Sequence, residues 1–263
     1  MNTPYQHIIR EPEGADTAVL LLHGILSAPQ YFDFLLREIP PEYAVYGMLL
    51  DGHGGTPDGL AKTNMHIWKQ QVAVCMQQLT GRYRRILIAA HSMGTLFAVQ
   101  LAVQYPDQVQ SMLLLNVPVH IHLTPFGAVC SLLIACGYIP KRHARAAAMK
   151  QAYSISPDGH LLRYLRWIPR YLELFREIRR TRPLLQRLTV SCDVFQSARD
   201  ELVSLRSLKE LARHPHLRLR VLRNSSHFYY TDADRARILR CMRRCIRITR
   251  QSEATPLRIV KIK

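Results

Sequence analysis

Short apolar runs alternate with helical patterns along most of the 263 residues. That alternation restricts the fold more than any other feature. "TAVLLLHG" (17–24) has the length and composition of a buried strand and ends in glycine. "PQYFDFLLREI" (29–39) follows with helical spacing and proline at its start. "EYAVYGMLLDGHGGTPDG" (42–59) reads as a second strand running into a glycine-rich loop, and "NMHIWKQQVAVCMQQL" (64–79) as an amphipathic helix with Asn64 as its N-cap. "RILIAA" (85–90) is a third strand, "MGTLFAVQLAVQY" (93–105) a helix closed by Pro106, and "QVQSMLLLNVP" (108–118) a fourth strand. The pattern resumes with "LTVSCDVFQSARDELV" (188–203), strand then loop, and with "SLRSLKELARH" (204–214), a helix with Ser204 as N-cap. "HLRLRVL" (216–222) alternates as an edge strand does, and "DADRARILRCMRRCIRITR" (232–250) is a final basic helix. Strand–helix alternation predicts an α/β fold, a mostly parallel central sheet flanked by helices. Ligands of such sheets bind at the carboxyl ends of the strands. Every polar or glycine-rich loop named here follows a strand, so all of them are expected at that edge.

Between about 118 and 187 the alternation stops. The stretch is helical in pattern and basic, with twelve Lys or Arg against three acids between Lys141 and Arg187. It predicts a helical insertion at 118–187 in a core formed by 1–117 and 188–263. The whole chain carries 36 basic and 19 acidic residues, a formal charge of +17. Such a field attracts anionic surfaces without choosing among them. No apolar run approaches the ~20 residues of a membrane span. The first residues lack a basic-then-apolar leader, so a cytoplasmic location is the default expectation. The six cysteines form no CxxC pair, which suits free thiols in a reducing compartment.

"AAHSMG" puts Ser92 where the third strand turns into a helix. Small residues at 90 and 94 permit the sharp turn that exposes the hydroxyl and aims the helix N-terminus at it. The Met93 amide would meet a developing oxyanion, and the Ile25 amide, just after "LLHG", would be the second donor. A serine hydroxyl at neutral pH needs a base. His227 in "SSHF" lies in the loop after the last strand and could take that proton. Asp200 in "SARDELV" follows the preceding strand and would fix the imidazole tautomer. Asp193 is an alternative by residue type but lies near the start of its strand, and the adjacent Glu201 would substitute less well. The order Ser92, Asp200, His227 suits this topology.

These segments ("LLLHG", "DGHGGT", "AAHSMG", "SARDELV", "SSHF") span nearly the whole chain, which resembles the α/β-hydrolases near the bacterial carboxylesterase and monoacylglycerol-lipase branch. The resemblance implies a serine-hydrolase mechanism and a helical cap after the sheet's sixth strand, at about 118–187. Ala90 replaces the first glycine of the family's G-x-S-x-G. The expected reaction is hydrolysis of a carboxylic ester with a hydrophobic acyl group. Thioesters, lysophospholipids, amides and carbon–carbon bonds are alternatives on the same fold. No G-x-G-x-x-G follows the first strand, so no cofactor is expected. His23 and His53 are read as loop-shaping residues. His120 and His122 share a face of an extended segment, but no acid or cysteine accompanies them in sequence, so no metal is expected. "PFGAVCSLLIACGYIP" (125–140) could line an acyl pocket or pack the cap. The last helix rings an apolar stripe of Ile238, Met242, Cys245 and Ile246 with arginines. That pattern suits packing on the sheet better than binding of lipid or nucleic acid. The expected partner is therefore a small-molecule ester, with a weak association with an anionic membrane surface and no specific nucleic acid.

Overall fold

A computed structural model describes residues 5–138, 143–214 and 217–252. The last two residues of the expected apolar segment 125–140, the first of the expected strand 216–222, Lys141 and Arg142 of the basic stretch, and both chain ends of the expected core lie outside that set.

Among the described residues seven strands form one sheet: β1 (Ile8–Arg10), β2 (Thr17–Leu22), β3 (Ala44–Met48), β4 (Arg85–His91), β5 (Val109–Leu115), β6 (Ser191–Ser197) and β7 (Leu217–Leu222). Their order is β1-β3-β2-β4-β5-β6-β7. Among the described residues only the β1–β3 pairing of this sheet is antiparallel. Sequence reading does not find β1, whose three residues are too few to display a period. All six residues of β2 are buried, as expected for a parallel strand covered on both faces. Ala18, Leu20 and Leu22 pack on one face with Trp68, Met76 and Phe97. Val19 and Leu21 pack on the other with Phe32, Phe195 and Met242.

The helices are α1 (Asp33–Leu36), α2 (Pro57–Lys62), α3 (Met65–Arg82), α4 (Met93–Gln104), α5 (Pro125–Ala135), α6 (Ala144–Ala152), α7 (Ile168–Thr181), α8 (Arg206–Leu211) and α9 (Asp232–Gln251). Asn64 caps α3 by accepting from the Ile67 amide at 3.0 Å. The expected helix 29–39 is shorter, a 3-10 turn over Pro29–Phe32 leading into α1. The expected cap of α8 also shifts: the helix starts after Leu205, and the Ser204 hydroxyl accepts from the Arg206 amide at only 3.3 Å. α9 buries Ile238, Met242, Cys245 and Ile246, and it packs mainly on β4 and β5.

β5 and β6 are joined by a long helical segment containing α5, α6, α7 and 3-10 turns over Leu161–Trp167 and Arg182–Arg187. The sheet has seven strands among the described residues, so this segment follows the fifth of them. Buried Glu177 of α7 straps it down, accepting from Lys69 Nζ of α3 and Gln100 Nε2 of α4, each at 2.7 Å. Trp167 Nε1 donates to the Pro57 carbonyl at 2.8 Å, and Arg170 Nη1 to the Ala61 carbonyl at 3.0 Å. Among the described residues no helix is long and apolar enough to cross a membrane.

Candidate active site

Ser92 joins β4 to α4 with φ 50° and ψ −123°. This is left-handed backbone in a residue with a side chain, a strained state that persists only where its surroundings enforce it. Gly94 shows how tight the turn is: a Cβ there would lie 2.1 Å from the Leu22 carbonyl oxygen. Gly24 approaches from the β2 side, where a Cβ would sit 2.9 Å from Ser92 Cβ. Ala90 is fully buried in the core beneath the turn, so position 90 is also confined.

His227 and Asp200 are both buried, and His227 Nδ1 donates to Asp200 Oδ2 at 2.8 Å. In the neutral imidazole, Nε2 is then left as the basic nitrogen. Asp200 Oδ1 accepts from the Leu202 and Val203 amides, both at 2.7 Å, so its carboxylate has little freedom to turn. Ser92, His227 and Ile25 border one cavity of about 1080 Å³. Met93 follows Ser92 directly as the first residue of α4. Among the described residues neither the Ile25 nor the Met93 amide has a hydrogen-bond acceptor.

The other two acids are occupied elsewhere. Asp193 is fully buried in β6, where Arg218, Arg220 and Arg244 surround it. Glu201 accepts the His227 amide at 3.0 Å and pairs with Arg145 at 2.5 Å, bracing the loop rather than the imidazole.

Several bracing residues escape a reading of the sequence. Asn116, at φ 54°, accepts from the Ser197 amide at 2.9 Å and donates to the His227 carbonyl at 3.1 Å. An asparagine closing a strand run is a usable signal, because Asn tolerates left-handed backbone. His91 Nε2 donates to the same His227 carbonyl at 3.0 Å. Burial and the neighbouring His227 hold His91 well below the usual histidine range. Ser154 reaches in from the long helical segment: its amide donates to the Leu26 carbonyl at 2.7 Å and its hydroxyl to the Ser27 carbonyl at 2.8 Å. The loop that carries Ile25 is thereby pinned next to Leu26, itself at φ 66°. For His91 and Ser154 no local sequence signal exists.

Burial lowers His23 well below the ordinary value and His53 to about 4. His23 Nε2 accepts the Leu50 amide at 3.1 Å, tying the loops after β2 and β3 together. His120 Nε2 lies 2.9 Å from Glu210, an acid that sequence distance conceals. His122 Nε2 donates to the Asp200 carbonyl at 3.0 Å. Among the described residues no group of three or more His, Cys, Asp or Glu is placed to hold a metal ion.

The cavity walls come largely from the segment between β5 and β6. They include Leu132, Tyr164, Trp167, Leu174, Phe175 and Ile178. α5 contributes to this wall, and it also packs Cys130 and Ile134 against α6.

A family model described as the alpha/beta hydrolase fold matches residues 17–129. No curated protein matches the chain in sequence. A solved structure from work on LipS and LipT, two metagenome-derived lipolytic enzymes, is 23% identical, with a TM-score of 0.71, covering 94% of this chain and 98% of its own. The ancestral haloalkane dehalogenase AncHLD2 is 15% identical, with a TM-score of 0.66, covering 92% and 95%. The Paleococcus ferrophilus monoacylglycerol lipase is 14% identical, with a TM-score of 0.62, covering 88% and 94%. With a mostly parallel seven-stranded sheet, flanking helices and a strained strand-to-helix turn, the chain is a protein of the α/β-hydrolase fold.

Proposed function

We propose that the protein is a serine hydrolase that cleaves carboxylic esters through an acyl-Ser92 intermediate. The observation that carries this reading is the buried Asp200–His227 pair bordering the same cavity as a serine at a strained turn. Ser92 Oγ attacks the carbonyl carbon while His227 Nε2 takes the hydroxyl proton. The oxyanion that forms is held by the Ile25 and Met93 amides. The tetrahedral intermediate collapses, and the alcohol leaves with the proton from His227. Water then attacks the acyl-enzyme, again giving its proton to His227, and the acid is released with Ser92 restored. Asp200 fixes the imidazole tautomer and stabilises its cation throughout.

Residues 118–187 act as a cap over a core of 1–117 and 188–263. The apolar walls that the cap contributes favour a hydrophobic acyl group. The same machinery would serve a thioester, because the attacked centre is again an acyl carbon. The test is turnover of 4-nitrophenyl esters by the intact chain and by Ser92→Ala, with monoacylglycerols, lysophospholipids and acyl thioesters alongside. Loss of all turnover in Ser92→Ala is expected. Turnover that survives the substitution would overturn the reading.

A further inference from the structure

Two arginines stand in the wall of the largely apolar cavity. Tyr171, Leu174, Phe175, Ile178, Arg179 and Arg182 recur at helical spacing along α7 and its C-terminal end, and all six border the cavity. The face changes from apolar to cationic toward the helix C-terminus. Among the described residues the lining contains no carboxylate, so Arg179 and Arg182 carry its only permanent charges. Arg182 is held in place: its Nε donates to the Val119 carbonyl at 3.1 Å, and its Nη2 lies 3.3 Å from His120 Nδ1. Glu210, outside the lining, balances it only at 4.0 Å. Arg179 has no ion-pair or hydrogen-bond partner among the described residues. Arg179 is exposed, so a ligand in the cavity can reach a guanidinium that no protein group occupies, and a carboxylate or phosphate matches its planar donors.

We propose that Arg179, supported by Arg182, forms an anion subsite, and that the preferred substrate is an amphiphilic acyl ester bearing a carboxylate or phosphate away from the scissile bond. The proposal rests on the serine-hydrolase reading for the reacting end of the cavity, whereas binding at the subsite can be measured without turnover. The apolar part of the ligand lies along Leu174, Phe175 and Ile178, and its charged end meets the arginines. This gives the basic segment a role in selection as well as in covering the site.

The first measurement is calorimetric binding of decyl phosphate, decanoate and decanol to the full chain. At least one anion is expected to bind about tenfold tighter than decanol, equivalent to about 1.4 kcal/mol. That advantage should vanish in Arg179→Met, return in part in Arg179→Lys, and shrink in high salt. The order of phosphate and carboxylate assigns the anion. Equal affinities, or an advantage that survives Arg179→Met, would overturn the subsite. The second measurement compares kcat/KM for the 4-nitrophenyl ester of decanoic acid with that for the mono-4-nitrophenyl ester of decanedioic acid. A ratio favouring the anionic ester that falls about tenfold in Arg179→Met is expected for a carboxylate-selective site. If the anions bind through Arg179 but neither ester is turned over, the subsite stands and the serine-hydrolase reading falls. If both esters react equally and no anion binds tighter, the subsite falls and the hydrolase reading stands.

Discussion

At the residue scale the turn at Ser92 leaves least room for change. Gly94→Ala would place a methyl group 2.1 Å from the Leu22 carbonyl oxygen, a backbone atom that cannot swing aside. Overpacking of this kind costs about 1–3 kcal/mol, and here relief would have to come from shifting β2 or α4. A lower thermal midpoint together with lost ester turnover is expected, measurable by calorimetry and by 4-nitrophenyl ester assay. Asp200→Asn is a subtler change. The amide can still accept from Leu202 and Val203 through its oxygen, but it then presents an NH2 group toward His227 Nδ1. The imidazole is driven to the other tautomer, with Nε2 protonated and unable to take the Ser92 proton. A loss of roughly 10⁴-fold in kcat is expected with the fold intact, by analogy with such triads elsewhere. An Asp200→Asn protein of near-normal kcat would assign the acid's role to another residue. The proposed site residues Ser92, Asp200 and His227 each sit in a short motif after a strand, which is what lets sequence alone put them forward. Asn116, His91 and Ser154 are not, because their partners lie far along the chain and their roles exist only after folding.

At the element scale the central feature is how the segment between β5 and β6 is held over the sheet. Its contacts with the core are specific as well as apolar. Glu177 is 1% exposed and receives Lys69, Gln100 and Arg180. Glu177→Leu would leave the half-buried Gln100 amide with only the Thr181 hydroxyl and would strand the Lys69 ammonium. Removing one partner of such a network costs about 1–3 kcal/mol. The loss should fall on α7 before the sheet, because local stability follows local contacts. Hydrogen exchange should accordingly quicken in α7 of Glu177→Leu while β4 stays protected, and equal change in both would refute a localised strap. Ser154 performs a related task at the loop that carries Ile25. Ser154→Ala is expected to lower kcat several-fold with little change in KM, because the Ser27 carbonyl loses its hydroxyl donor while the amide bond to Leu26 and the apolar walls remain. The alternation of strands and helices was readable because burial on both faces demands it. The ends were less readable: β1 is too short to show a period, and α8 starts one residue later than its serine suggests. The docking of α7 rests on a buried glutamate with two partners from distant elements, Lys69 of α3 and Gln100 of α4, which local patterning cannot express.

At the scale of the whole molecule the buried histidines make stability depend on pH. His23, His53 and His91 have no exposed surface to speak of, and burial pushes each below the ordinary value of 6.5. In the folded protein they stay neutral where the unfolded chain would protonate them. The unfolded state therefore binds more protons below pH ~6.5, and stability rises with pH there. Above that value the histidine contribution is fully present, and it is lost as pH falls from 6.5 toward each folded value. For His53 the interval runs from 6.5 to about 4, worth about 3 kcal/mol at about 1.4 kcal/mol per pH unit. His23 and His91 act in the same direction. The lowered carboxylates do not offset this. Asp158, at about 2, and Asp193 stabilise the fold above their ordinary 3.8 and lose that contribution only at more acid pH. A chain already at +17 gains further repulsion as its histidines charge. Denaturant unfolding at pH 7.5, 6.5, 5.5 and 4.5 should therefore show a flat upper region and a steep fall below about 6.5. His53→Gln cannot take up that proton, so its decline between pH 6.5 and 4.5 should be shallower by about 2 kcal/mol, whatever its stability at pH 7.5. Parallel curves for the two proteins would mean that His53 protonates as readily folded as unfolded, against its burial between His23 and Trp68.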